Sequence, residues 1–406
     1  SLIAYKLAAA WRTPQIGWLA FIVIHLTPLT AAGGLLMTPD AICTTLWLFA
    51  LFLLSKVDWH KEGQWKLFLA IGLTIGLAGL AKYTAAVFYP LLGVYLLIDK
   101  QRRAWLLKPQ IYAAGLISLA CVMPILYWNM QNDWISFKHV AGQAGGTRTF
   151  NPLKYQSNFW GSQFGVVGPI TFIFMLAWWL KQKRIQETGL LLWWFTAPLF
   201  ALFVLKAFDA KVQANWPVLA TATALIGLVG WIVSQPKWTR KLFAAGMSLS
   251  LLETTAAYDS NIIRSLGIDL CANRDPIKPL LGWSTMGKQI SEVLLPKDAV
   301  ILPTRYQTTA SLGFYIKGNP QVLYMNPGYR RQNHYDLQPW PTITPETTVI
   351  YINEGNTLEG KVKEGFDACE ELAQVDGAHD KRLYRTATLY TCTGYKNLTR
   401  FKAEKF

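Results

Sequence analysis

The stretch Gly17–Leu54, GWLAFIVIHLTPLTAAGGLLMTPDAICTTLWLFALFLL, decides the fold class because Asp40 is its only formal charge. A helix that crosses a bilayer needs roughly 20 apolar residues to span about 30 Å of hydrocarbon. A second run, from Leu67 to Ile98, carries only Lys82. Two such runs within the first hundred residues predict a protein that crosses the membrane several times.

The composition separates this apolar part from an ordinary second part. Over 406 residues, 52% are hydrophobic and 16% are charged, whereas soluble proteins carry roughly 25% charged residues. After Tyr258 the sequence becomes a normal mixture of charged residues, Pro and Gly. We therefore predict a multi-span domain over residues 1–258 and a soluble domain over residues 259–406.

About nine membrane spans fit the apolar runs. They are predicted at residues 16–35, 39–55, 66–81, 83–98, 110–128, 162–180, 188–206, 215–234 and 241–258. Basic residues cluster in alternate loops, as at Lys56 and Lys61, Arg102 and Arg103, and Lys183 and Arg184. The positive-inside rule makes these loops cytoplasmic, and the odd span count then places residues 259–406 outside the cytoplasm.

The net charge of +15 is largely explained by this loop bias. No basic–aromatic motif typical of nucleic-acid recognition stands out, so a nucleic-acid partner is not expected.

The second domain is predicted to have an α/β fold. Buried strands are expected at 299–302, 321–324 and 348–351, with a longer strand at 381–391 and helices at 308–316 and 358–366. Cys369 and Cys392 could pair in an oxidising compartment or remain free thiols. No zinc spacing, P-loop or GxGxxG motif is present in the sequence.

Two charged residues in the apolar runs are candidates for function. Charge within a membrane domain is costly and is therefore often functional. Asp40 follows Pro39 at the start of a predicted helix, where a carboxylate is also favoured as a simple boundary residue. Lys82 lies at the turn of a pair of short helices, where it could bind a lipid phosphate or extend to the interface. Tyr83 would add a hydroxyl donor beside it.

Two polar segments complete the candidate set. The loop after Asn129 contains His139 and Arg148 among aromatic residues and Gly145-Gly146, and it is either a sugar-binding loop or a surface loop. Between two predicted spans, Lys211, Gln213 and Asn215 line a cavity or face water at a hairpin.

The sequence resembles the GT-C superfamily of membrane glycosyltransferases, most closely its protein-mannosyltransferase-like and aminoarabinose-transferase-like group. The segments that carry the resemblance are Leu35-Leu-Met-Thr-Pro-Asp40, Gly79-Leu-Ala-Lys-Tyr-Thr84, Lys211-Val-Gln-Ala-Asn-Trp-Pro217, Gly282-Trp283, Arg305-Tyr-Gln307, Leu312-Gly-Phe-Tyr315 and Arg331-Gln-Asn-His-Tyr-Asp336. Each segment is weakly specific, but their order extends over nearly the whole chain.

The resemblance implies an inverting transfer from a sugar carried on undecaprenyl phosphate. The reaction would occur at the outer face of the bacterial inner membrane, and the acceptor hydroxyl would belong to a lipid such as lipid A, a glycan or a protein. Asp40 matches the family's second acidic position. Lys82, Tyr83, Lys211 and Arg305 would bind the donor phosphate.

The resemblance also sets further expectations for the site. The substrate cavity would include His139, Gln213, Asn215 and Tyr306. The family's main catalytic acid lies in a first outer loop, which we expect upstream of Ser1. No cofactor is indicated by the residues, and family members differ in their use of a divalent metal.

Two other classes of function remain compatible with the pattern. A transporter would share the many spans and the charged residues within them, but it would move solute and would not consume a lipid-linked sugar. A non-catalytic subunit of cell-envelope polysaccharide assembly would tolerate Asp40→Asn and Lys82→Ala.

Overall fold

A computed structural model describes residues 1–144, 151–181, 187–268, 271–275, 277–293, 296, 298–326, 333–338, 343–355, 358 and 360–396. The chain divides into two compact units, Ser1–Tyr258 and Asp259–Phe406. Several residues named above lie outside the described ranges, namely Gly145, Gly146, Arg148, Lys183, Arg184, Arg331 and Gln332.

All regular elements among the described residues of the first unit are helices. Its α-helices are α1 Leu2–Trp11, α2 Pro14–Leu26, α3 Pro28–Leu35, α4 Pro39–Leu54, α5 Trp65–Ala81, α6 Phe88–Leu97, α7 Lys100–Arg103, α8 Pro109–Gln131, α9 Ile135–Ala144, α10 Pro152–Val167, α11 Pro169–Lys181, α12 Glu187–Trp194, α13 Ala197–Lys206, α14 Val218–Ile232 and α15 Lys237–Tyr258. Short 3₁₀ helices occupy Tyr83–Val87 and Ala104–Leu107.

Two helical segments are long and apolar enough to cross a bilayer, Pro109–Gln131 and Thr188–Lys206. Two bent pairs, α2 with α3 and α10 with α11, raise that number to four if each pair forms one span. By length and composition, the described helices therefore include between two and four that could cross a bilayer, as a multi-span membrane unit requires.

Two of the predicted spans are broken helices and not single straight ones. The predicted span 16–35 bends by 75° at Thr27, before Pro28. The predicted span 162–180 bends by 108° at Gly168, before Pro169. Proline lacks the amide hydrogen that a continuous helix needs and clashes with the preceding turn, so it ends each helix at these points.

The bend between α2 and α3 is stabilised by side chains of α15. The Thr254 hydroxyl donates to the Leu26 carbonyl at 2.8 Å, and the Tyr258 hydroxyl donates to the Ala31 carbonyl at 2.8 Å. Backbone groups exposed by a break must find partners within a membrane protein because the hydrocarbon offers none. Helix α15 supplies them here.

Helix α14 forms the centre of the first unit. Nearly all of its residues are buried, as expected for a helix that is packed on every side. The indole nitrogen of Trp47 on α4 donates to the Thr223 hydroxyl on α14 at 3.1 Å. This buried hydrogen bond fixes the middle of α4 against the central helix.

The second unit contains a four-stranded sheet. Its strands are β1 Val300–Pro303, β2 Val349–Asn353, β3 Phe366–His379 and β4 Arg382–Tyr395, and the order is β1-β2-β4-β3. Strands β1 and β2 are parallel, whereas β2 with β4 and β3 with β4 are antiparallel. The helices are α16 Asn261–Ser265, α17 Trp283–Glu292, α18 Tyr306–Tyr315 and α19 Gly360–Glu364, with 3₁₀ helices at Ala272–Arg274, Lys278–Leu280 and His334–Leu337.

The α/β prediction is confirmed for most of its elements. The predicted strand at 321–324 pairs with β1 through Val322 opposite Ile301, as an isolated bridge. The predicted helix at 358–366 is shorter, because Phe366 begins the long strand β3, which the sequence reading missed. A disulfide joins Cys369 on β3 to Cys392 on β4.

Candidate active site

Asp40 lies in the first turn of α4. Pro39 occupies the first helical position, where its missing N–H costs nothing. The positive end of the helix dipole favours a carboxylate there. The side chain of Asp40 is only 13% exposed, so its oxygens need partners from the protein.

Lys82 supplies the first of these partners. It has an extended backbone, with φ −156° and ψ 129°, and it separates α5 from the 3₁₀ helix Tyr83–Val87. The predicted break in the short helix pair is therefore present at this residue. Its ammonium nitrogen lies 2.5 Å from Oδ1 of Asp40, and the two side chains form a partly buried ion pair.

Asn215 supplies the second partner. It belongs to the turn between α13 and α14, and its Nδ2 donates to Oδ2 of Asp40 at 2.9 Å. Each carboxylate oxygen of Asp40 thus has a different donor. The structure brings together three residues that the sequence had placed in separate segments, Asp40, Lys82 and Asn215.

Tyr83 points away from this pair, toward α9. Its hydroxyl lies 2.7 Å from the Ser136 hydroxyl, and its ring stacks on Phe137 with centroids 5.0 Å apart. The Ser136 hydroxyl also donates to Oδ1 of Asn129 at 2.7 Å. Tyr83 therefore anchors helix α9 beside the break, and its assignment to the donor phosphate stays a prediction.

The remaining predicted residues lie on three other segments. His139 is half-buried on α9, one turn beyond Ser136. Lys211 and Gln213 are exposed in the turn that carries Asn215. Arg305 precedes α18 in the second unit and is exposed, as is Tyr306. Their roles in binding stay predictions.

A cavity of about 410 Å³ reaches Asp40 from the side of α3. Most of its wall is aliphatic, and His25, Thr30, Thr44, Thr45 and Tyr258 contribute polar groups. Ligand sites in proteins are commonly apolar clefts with a few placed polar groups. The cavity opens onto Asp40, whereas Lys82 and Asn215 are not among its lining residues.

Polar residues within apolar helices were a signal for further site residues that the sequence analysis did not use. Asn129 on α8 and Gln163 on α10 are fully buried, and Ser136 holds Tyr83. An amide in an otherwise apolar helix has to be hydrogen-bonded to be tolerated. Such residues could have been added to the candidates on that ground.

Within the described ranges, no group of three or more His, Cys, Asp or Glu side chains is placed to hold a metal ion.

The fold and the site define a membrane protein with a carboxylate–ammonium pair at a helix break and a following α/β unit. Residues 1–128 match the family model described as dolichyl-phosphate-mannose-protein mannosyltransferase. Among curated proteins, the lipid A galacturonosyltransferase RgtD of Rhizobium johnstonii is 30% identical over 254 residues, which is 62% of this chain and 51% of that protein. The chain thus spans about half the length of the curated relative it matches.

Two solved structures share the fold. The structure of ArnT from Cupriavidus metallidurans bound to undecaprenyl phosphate aligns with a TM-score of 0.62 and 12% identity, covering 96% of this chain and 81% of that one. The apo structure of the same protein gives 0.60 and 12%, covering 96% and 80%. Together with the family match and the curated relative, these findings confirm the resemblance to the GT-C superfamily.

Proposed function

We propose that this protein is an inverting glycosyltransferase that moves a sugar from undecaprenyl phosphate to an acceptor hydroxyl at the outer face of the inner membrane. The observation that carries the proposal is the Asp40–Lys82–Asn215 arrangement at a helix break. It puts a cation and a carboxylate side by side in a membrane unit. The cation suits the phosphate of a lipid-linked donor, and the carboxylate suits the proton of the acceptor hydroxyl.

The reaction assigns a role to each charged group. The oxygen of the acceptor hydroxyl attacks the anomeric carbon while the bond from that carbon to the phosphate oxygen breaks. The phosphate leaves with the electron pair, and Lys82 stabilises its added negative charge. The proton of the acceptor hydroxyl passes to a carboxylate. Asp40 is the carboxylate that lies beside Lys82. Attack opposite the leaving group inverts the anomeric centre.

The ion pair also suggests how the donor enters the site. Because Lys82 forms an ion pair with Asp40, its positive charge is already neutralised before the donor arrives. A phosphate would compete with Oδ1 of Asp40 for the ammonium group, while Asn215 retains Oδ2. Donor binding would thereby free one carboxylate oxygen at the point where the acceptor proton is released.

The relatives support a lipid donor and a lipid acceptor. One of them is named for transfer of galacturonic acid to lipid A, and the fold is shared with a protein whose structure holds undecaprenyl phosphate. We propose undecaprenyl phosphate as the carrier and a lipid of the lipid A class as the acceptor, with a glycan or protein hydroxyl as the other candidates. Lys211, His139 and Gln213 are proposed to add contacts within the first unit. Arg305 and Tyr306 are proposed to bind substrate groups from the second unit.

The topology that suits this function has about nine spans and an extracytoplasmic second unit. The basic loops argue for this orientation. The disulfide between Cys369 and Cys392 supports it, because such bonds persist in oxidising compartments such as the periplasm.

The test is a transfer assay in membranes with a lipid-linked sugar and the Asp40→Asn and Lys82→Met variants. Both variants should lower the transfer rate by about 10²-fold or more, as expected when a group that stabilises transition-state charge is removed. Lys108→Met is the matched control, since Lys108 forms an exposed ion pair with Glu62 in the same unit. Full activity in both site variants, or solute movement without sugar consumption, would refute the proposal.

A further inference from the structure

Gln163 is a buried amide that contacts the segment carrying Asn215. It lies on α10 and is 0% exposed. Its Nε2 donates to the carbonyl oxygen of Ala214 at 3.1 Å. Ala214 directly precedes Asn215, whose own amide holds Oδ2 of Asp40. A chain of two hydrogen bonds and one peptide unit therefore leads from α10 to the carboxylate.

The orientation of the Gln163 amide follows from its partner. A backbone carbonyl only accepts hydrogen bonds, so the side-chain atom that faces Ala214 must be the nitrogen. The other atom, Oε1, is buried without a hydrogen-bond partner among the described residues. Leaving a buried acceptor unpaired is unfavourable, and such a group calls for an explanation. If position 163 only had to fill space, an apolar side chain of the same size would fill it without leaving a buried acceptor unpaired.

The turn between α13 and α14 is buried at Ala210 and Val212. Its last part is less covered, since Gln213 is exposed and Ala214 and Asn215 are half-buried. The bond from Gln163 ties the turn to a helix at the position next to Asn215.

We infer that Gln163 is a positioning residue for the transfer reaction: it fixes the turn so that Asn215 holds Asp40 in place when the donor phosphate engages Lys82. The inference rests on the proposed function. Without Gln163, Asn215 would still be present but would hold Oδ2 for a smaller fraction of the time. The orientation of Asp40 and its charged form would then be less well stabilised.

The same helix offers a matched control. Gln156 lies seven residues before Gln163, and its Nε2 donates to the Val204 carbonyl on α13 at 2.8 Å. Its Oε1 accepts from the indole nitrogen of Trp160 at 3.0 Å. Gln156 thus makes the same kind of bond from the same helix, but onto α13 and not onto the turn with Asn215.

The experiment compares Gln163→Met with Gln156→Met in the intact membrane protein. The kcat and the KM for transfer are measured together with Tm. Lys82, the charged partner of Asp40, is unchanged in both variants. Gln163→Met should lower kcat by about tenfold, the scale of one hydrogen bond to a charged group, with little change in the KM for the donor.

The comparison of kcat with Tm separates positioning from general destabilisation. Gln163→Met should lower kcat, whereas Gln156→Met should lower Tm to a similar degree and leave kcat unchanged. Adding Gln163→Met to Asn215→Ala should cause no further loss, because both act on the same contact.

A spectroscopic readout keeps the inference independent of turnover. The carboxylate stretching band that disappears in Asp40→Asn reports the hydrogen bonding of the Asp40 carboxylate by infrared difference spectroscopy. A change in the frequency of this band in Gln163→Met, but not in Gln156→Met, supports the inference even if the protein transfers no sugar, which would refute the proposed function alone. An unchanged frequency, or a kcat equal to that of Gln156→Met, would overturn the inference and leave the proposed function standing.

Discussion

The ammonium group of Lys82 lies 2.5 Å from Oδ1 of Asp40, although the two residues are 42 positions apart in the chain. Helix α4 starts one residue before Asp40, and helix α5 ends one residue before Lys82. The helices have 16 and 17 residues, so each is about 25 Å long. In a hairpin of equal arms, the start of the first helix meets the end of the second. The dipoles favour an anion at the former and a cation at the latter.

Replacing Asn215 tests whether the carboxylate must be held by both oxygens. In Asn215→Ala, Asp40 would lose the donor to Oδ2, and a hydrogen bond to a charged group contributes roughly 1.5–3 kcal/mol. We expect kcat for sugar transfer to fall by about 10–100-fold. Asn158→Ala is the control, since Asn158 is exposed on α10. Equal rates for the two variants would show that Asn215 is dispensable.

Close packing between α5 and α8 gives a prediction about stability. A Cβ atom on Gly76 would lie 2.6 Å from Cβ of Cys121 and 2.8 Å from Cα of Ser118. Small residues allow helices to approach in this way in membranes. Gly76→Ala should therefore destabilise the first unit by roughly 1–3 kcal/mol through overpacking, seen as a lower Tm in detergent.

Gly115 provides the control for that substitution. It lies on α8, and a Cβ atom there would meet nothing within 4 Å. Gly115→Ala should leave Tm unchanged or raise it, because alanine is the better helix former by roughly 0.5–1 kcal/mol. A Tm that falls equally in both variants would contradict the packing described between α5 and α8.

The second unit should lose stability in acid through Asp275. Burial by itself would raise the pKa of the Asp275 carboxyl, but hydrogen bonds from Ser260, the Ile277 amide, Arg264 and Tyr384 hold it below its usual value. A carboxyl whose pKa is lowered on folding stabilises the fold above the unfolded value of about 3.9. That contribution is lost as the pH falls through the folded-state pKa.

Hydrogen exchange in strand β4 measures this effect in the intact protein. At neutral pH, Asp275→Asn should speed exchange in β4, whose Tyr384 donates to Asp275 at 3.0 Å. The difference from the wild type should shrink as the pH drops below about 4. Asp376→Asn, at an exposed position, should change little. A difference for Asp275→Asn that is independent of pH would contradict this account.

The disulfide predicts a response to reduction. Cys369 and Cys392 are 23 residues apart. Closing a loop of this size in the unfolded chain adds about 3 kcal/mol to the free energy of unfolding. Cys369→Ser should lower the stability of the second unit by roughly this amount. In the wild type, a thiol reagent should modify the exposed Cys271 at once but Cys369 only after reduction. Immediate modification of Cys369 would contradict the pairing.

The sequence was most informative where a single residue breaks a long pattern. Lys82 interrupts an apolar run that is too short for two full spans, and the structure breaks the helix at this residue. The strands β1 and β2 were predicted for a related reason, since short apolar runs between turn residues indicate buried strands. Strand β3 was missed because more than half of its residues are exposed and charged residues interrupt it, so no apolar run marks it.

The contacts within the site could not be predicted from local patterns. Asp40 and Asn215 are 175 positions apart, and only the packing of α4 against α14 brings them together. The bend at Gly168 was signalled by the Gly168-Pro169 pair, but the apolar residues on both sides suggested one continuous span. Tertiary packing decided both points.

The affinity for undecaprenyl phosphate tests the central claim most directly. It should be measured in nanodiscs for the wild type, Lys82→Met, Asp40→Asn and the Lys108→Met control. We predict that Lys82→Met binds at least about tenfold more weakly, since a charge-assisted contact to phosphate is lost, whereas Asp40→Asn binds as well as the wild type or better because Lys82 is released. Unchanged affinity in Lys82→Met, or the same loss in Lys108→Met, would contradict the assignment of this ion pair to the donor phosphate.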